Sequence, residues 1–115
     1  MKNEIKITEH QLQTLLMNYL RAKGWYVMRL NSGKYSVGEG RNKRFIMGQE
    51  AGTPDLMAFK DAGNIDIAYP DLVFIEVKVP GNKPTRLQEL KMKELEEYRA
   101  RCIVAHSLEE LQENL

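Results

Sequence analysis

Between Ile7 and Gly24, in ITEHQLQTLLMNYLRAKG, apolar residues return at Leu12, Leu15, Leu16, Tyr19 and Leu20, the spacing of one face of a helix. Thr8 and Gln11 stand at capping-box spacing and Gly24 supplies the stop, so a helix is predicted between them, with Glu9 in its first turn where the helix dipole favours an acid. WYVMRLN (25–31) is rich in aromatic and branched residues and predicts a first strand. The glycine-studded stretch 32–52 predicts a loop or loose hairpin, and PDLMAFK (54–60) and LVFIEVKV (72–79) predict two strands. Gly63-Asn64 and Pro70-Asp71 are turn signals between that pair. The helical period resumes at Leu87, Leu90, Met92, Leu95 and Tyr98, behind a second capping-box pair, Thr85 and Gln88. RCIVAH predicts a last short strand, and Ser107 with Glu110 opens a terminal helix. The order helix, strand, strand, strand, helix, strand, helix predicts an α/β fold, a mixed sheet flanked by helices.

At 115 residues the chain suits one domain, 1–115, with one core. Its first 23 residues are too charged and periodic for a signal peptide, and no apolar run nears the roughly 20 residues of a membrane span. An intracellular, cytoplasmic protein with no membrane partner is expected. The lone Cys102 excludes an internal disulfide or a cysteine-rich zinc site, and is expected to pack in the core. The net charge of +1 conceals two basic stretches: Arg29, Lys34, Arg41, Lys43 and Arg44 against Glu39, and Lys78, Lys83, Arg86, Lys91 and Lys93 against Glu89. Each alone reads as a solvated surface. With carboxylates between them they read as a phosphate-binding rim.

Side chains alternate along a strand, so Glu76 and Lys78 share one face while Ile75, Val77 and Val79 share the other. The acids are expected on the exposed face and at strand ends. Asp55 follows Pro54 at the start of the neighbouring strand, and antiparallel pairing brings it close to Glu76. Two carboxylates that close repel unless a cation lies between them. Magnesium suits oxygen ligands and keeps waters for a phosphate to displace, with manganese as a substitute; the two histidines, His10 and His106, lack zinc-ligand spacing. Two acids, a metal and the nearby Lys78 suit phosphodiester hydrolysis. Alone, an E-x-K on a strand is a common solvated face and P-D a common turn.

The combination Pro54-Asp55 with Glu76-Val77-Lys78 about twenty residues later resembles the PD-(D/E)XK nuclease superfamily. TEHQLQ on the first helix, GTPDL, IEVK and a following TRLQ together resemble the virus-type replication-repair nuclease (VRR-NUC) domain, over about Glu9 to Ser107. The resemblance implies a restriction-endonuclease-like core, αβββαβ, with a mixed four-stranded sheet. It implies that Asp55, Glu76 and the Val77 carbonyl bind the metal, that Glu9 reaches it directly or through water, that Lys78 assists the attacking water, and that Gln88 positions water or phosphate. Stand-alone members of the family resemble junction-resolving enzymes, so the implied activity is magnesium-dependent endodeoxyribonuclease action on branched DNA, four-way (Holliday) junctions first, by a homodimer with no small-molecule cofactor, in a DNA-repair or phage setting.

Asn31 and Ser32 end the first strand, either as turn residues or as contacts in the cleft. Lys34, Arg41, Lys43 and Arg44 suit an arm over nucleic acid, and Lys83 and Arg86, near the start of the second long helix, suit phosphates. Nothing resembles a base reader, so backbone and shape recognition is expected. The rival readings are a flap or nicking nuclease using the same residues, a non-catalytic nucleic-acid-binding module, and an assembly subunit that docks a partner through its acidic C-terminal helix.

Overall fold

A computed structural model of the chain describes residues 6–30, 34–37, 44–47, 50–61, 63 and 70–115, with backbone alone for 34–37 and 44–47. Three helices, α1 (Glu9–Ala22), α2 (Arg86–Glu97) and α3 (Leu108–Asn114), accompany strands β1 (Tyr26–Arg29), β2 (Lys34–Val37), β3 (Arg44–Met47), β4 (Leu56–Asp61), β5 (Pro70–Val77) and β6 (Arg101–Ala105). Among the described residues no helix is long and apolar enough to cross a membrane.

The main sheet is mixed and four-stranded, in the order β1-β4-β5-β6. β4 runs antiparallel to both β1 and β5, while β6 returns parallel to β5 after the α2 crossover. β2 and β3 form a separate antiparallel pair, so the glycine-studded segment contains a short hairpin. β5 starts two residues earlier than its apolar run predicts. Pro70 is its first residue, where a missing N–H costs least, and Asp71 lies within the strand rather than in a turn. Asp71 is neutralised by Arg101, whose Nη1 donates to its two carboxylate oxygens at 3.1 and 3.3 Å while Nη2 donates to the carbonyls of Asn114 and Leu115.

Both capping boxes form. Thr8 Oγ1 accepts the Gln11 N–H and Gln11 Oε1 accepts the Thr8 N–H, at 3.1 and 2.9 Å, and the same exchange joins Thr85 and Gln88. Leu12, Leu16, Met17 and Leu20 of α1 meet Val27, Leu56, Ala58, Val73, Ile75, Val77, Ile103 and Ala105 on one sheet face, with Leu111 of α3 completing that core. Leu15 is 41% exposed, contrary to the predicted stripe, because at 3.6 residues per turn it points roughly a third of a turn away from Leu16 and Leu20.

α2 lies towards the opposite face. Of its periodic apolar residues only Met92 is buried; Leu87 and Leu90 are exposed and Tyr98 is 84% exposed, so this stripe is not the core seam its spacing predicts. Cys102 is half-buried beside α2, with Sγ 3.8 Å from the Met92 carbonyl oxygen, and not deep in the core. Burial, with the charge of Glu96, raises its pKa to about 11, which keeps the thiol protonated.

Candidate metal centre

Antiparallel pairing sets Leu56 opposite Ile75, so Asp55, the residue before β4, falls opposite Glu76. Asp55 is held from two sides. Its carbonyl accepts the Leu30 N–H at 2.8 Å, and its carboxylate Oδ2 accepts the Val77 N–H at 2.8 Å. The predicted antiparallel meeting of the two acids is therefore present at one end of the sheet.

Glu76 does not lie on an exposed face. It is 0% exposed, the only buried charged residue among those described. Alternation points it away from the α1 core, and the start of α2 brings Gln88 beside it. Gln88 Nε2 donates to Glu76 Oε1 at 3.1 Å, while Gln88 Oε1 accepts the Thr85 N–H at 2.8 Å. Glu76 Oε2 is buried, and as an ionised oxygen it receives no hydrogen-bond donor among the described residues. Burial is the main reason that the Glu76 pKa rises to about 9; the neighbouring Asp55 carboxyl, through hydrogen bonding and charge, raises it further, Lys78 opposes, and Glu9 adds a smaller upward push. Asp55, Glu76, Glu9, Lys78 and Gln88 thus form one electrostatic neighbourhood drawn from α1, the edge of β4, β5 and α2.

Among the described residues no three His, Cys, Asp or Glu side chains converge into a ready-made metal cage. The donor set nevertheless suits a hard cation: a buried carboxylate oxygen lacks a donor, and a second carboxylate lies opposite it in the strand pairing. Asp55, Glu76 and the Val77 carbonyl are the residues that would hold such an ion, with Glu9 within electrostatic reach.

Gly52 closes the approach of α2, a role its sequence position did not announce. Its φ is +86°, and a Cβ there would lie 2.5 Å from the Leu87 carbonyl oxygen, a backbone atom. Glu50 in the same turn pairs with Lys91 of α2, and this hydrogen bond and charge raise the lysine's pKa. Glycine two residues before Pro54 was the available signal. At the other end of the β5–α2 connection, His106 Nε2 meets the Asn82 carbonyl at 2.8 Å and Nδ1 meets Glu110 Oε1 at 2.9 Å.

Lys83 and Arg86 are exposed around the start of α2, Arg86 only 3.8 Å from Glu89. Lys34 opens β2 and Arg44 opens β3, at opposite ends of that two-stranded pair. Asn31, Ser32, Arg41 and Lys43 lie outside the described residues. Comparison with protein-family models, with curated proteins and with solved structures finds no match to this chain.

Proposed function

We propose that the chain is a magnesium-dependent endodeoxyribonuclease of the PD-(D/E)XK type, with a restriction-endonuclease-like core and a VRR-NUC-like site. The observation that carries this reading is the buried Oε2 of Glu76, without a donor, opposite Asp55, with Lys78 two residues further on, just past the end of β5. Such a carboxylate is costly in an apolar sheet unless a cation completes it.

In this reading Asp55, Glu76 and the Val77 carbonyl hold Mg2+, or Mn2+ in its place, and Glu9 adds charge nearby. The ion when bound supplies Lewis-acid polarisation of a phosphodiester oxygen and acidifies water. Lys78 orients the attacking water and offsets charge at the phosphate. Gln88 fixes the rotamer of Glu76 through its Nε2–H, and the Val77 N–H fixes Asp55. Lys83 and Arg86, exposed around the N-terminus of α2, bind flanking phosphates of the DNA backbone. One chain offers one such site, and a four-way junction needs two symmetric cuts, so the proposed working form on branched DNA is a homodimer.

The test is cleavage of a synthetic four-way junction, with flap, single-stranded and plain duplex DNA beside it, with Mg2+ and with chelator. Asp55→Ala and Lys78→Ala are expected to lower the cleavage rate by about a hundredfold or more, the size typical of a lost charge-stabilising group. Undiminished cutting by either variant, or cutting by the native chain in chelator, removes the assignment.

A further inference from the structure

β6 is a terminal strand of the main sheet, bonded to β5 on one side. In this parallel ladder the Lys78 N–H donates to the Ala105 carbonyl at 3.1 Å, and Ala105 pairs with Val77. Backbone groups alternate in direction along a strand, so Arg101, Ile103 and Ala105 bond inward while the N–H and C=O of Cys102 and Val104 point to the outer edge. No backbone hydrogen bond reaches either residue from that side among the described residues. Natural edge strands are commonly blocked by proline, lysine or a bulge. RCIVA has none of these, and the guanidinium of Arg101 is committed to Asp71 and to two C-terminal carbonyls.

A groove of about 560 Å³ runs along this edge, lined by Glu96, Arg101, Cys102, Val104, Glu110 and Asn114. We infer that it receives an extended basic segment of a partner protein, added to β6 as a further strand. The ladder supplies four outward backbone groups, and charge selects the guest. An added strand alternates its side chains between faces. Glu96 of α2 waits on the Cys102 side, and Glu110 of α3, whose Oε1 also meets His106, on the other, so lysine or arginine meets a carboxylate on either face, with Glu96 the stronger attraction. α2 has no basic residue in its last turn, so its carbonyl end adds partial negative charge around Glu96. The net charge of the whole chain is +1, so the attraction of a cationic segment is local to this groove.

The probe is an amidated, fluorescent heptapeptide of alternating arginine and valine, titrated onto the full chain by anisotropy, with amide exchange followed by NMR. The expected result is saturable, salt-weakened binding that slows exchange at the Cys102 and Val104 amides. N-methylation of alternate peptide nitrogens should weaken binding about tenfold or more by removing ladder donors. Glu96→Lys, exposed at a helix C-terminus where lysine is favoured, should weaken it about fivefold. The inference is overturned by absence of binding, by equal binding of the N-methylated or a glutamate-valine peptide, or by unchanged exchange at Cys102 and Val104. It is overturned equally if those two amides are already protected in the free chain by a second copy on the same edge.

Discussion

Replacing Glu76 with Gln should stabilise the protein while abolishing the proposed activity. The side chain keeps its shape: Oε1 still accepts from Gln88, and the new amide nitrogen turns the unpartnered Oε2 position into a donor towards Asp55. The magnitude follows from the proton. A group whose folded pKa is raised from 4.5 to about 9 gives stability that is complete below pH 4.5 and lost progressively as pH rises towards 9. Each pH step in that window costs about 1.4 kcal/mol, so metal-free native protein should lose about 3 kcal/mol by pH 7 relative to the variant. That is a large share of the roughly 5–15 kcal/mol that holds a domain of this size. The assay is urea unfolding between pH 4 and 8.5, in chelator and in Mg2+. At pH 7 in chelator, Glu76→Gln should move the midpoint up by roughly 2 M, and by nothing near pH 4. Mg2+ should raise the native midpoint and move the variant's far less, because the variant keeps only the Asp55 carboxylate to hold the cation. A variant less stable than the native chain at pH 7, a difference independent of pH, or equal responses to Mg2+ would refute the reasoning.

Two further outcomes rest on separate contacts. Gly52→Ala places a methyl 2.5 Å from the Leu87 carbonyl at φ +86°, so thermal or urea unfolding should show a loss of about 2 kcal/mol or more, with the proposed cleavage falling as the start of α2 moves off Glu76. His106 faces two acceptors, Glu110 and the Asn82 carbonyl, and only the doubly protonated ring donates to both; the Glu110 hydrogen bond, then that of Asn82, raises its pKa above 6.5. Its stabilisation is therefore full below pH 6.5 and lost as pH rises through the folded value, so the native chain's advantage over His106→Asn should shrink from pH 6 to pH 8.5; a constant advantage in paired melts contradicts the doubly donating ring.

Much of the scaffold was legible because its signals are local. Thr8 with Gln11 and Thr85 with Gln88 mark helix starts through contacts three residues apart, and both capping boxes form. Val73, Ile75 and Val77 alternate, and all three are fully buried. The meeting of Asp55 and Glu76 follows from one antiparallel pairing. What the sequence did not reveal depends on what covers a surface. Alternation identifies the face of Glu76 as distinct from that of Ile75, but a charged residue reads as solvent-facing until a helix beginning ten residues later seals it in. The α2 stripe failed for the converse reason: Leu87, Leu90 and Tyr98 keep helical spacing, yet their side chains stay exposed. Asp71 looked like a turn residue because its partner, Arg101, lies 30 positions away.

The Gln88 carboxamide also fixes where a proton can reside. A primary amide has one oxygen and one nitrogen, and the Thr85 N–H claims the oxygen. The group therefore cannot flip without breaking the start of α2, and it always presents N–H to Glu76 Oε1. That oxygen is held as an acceptor, so the proton of neutral Glu76 belongs on Oε2, the atom without a partner. Exchange of that proton for a cation would then occur at a single atom whose orientation is set by a helix cap.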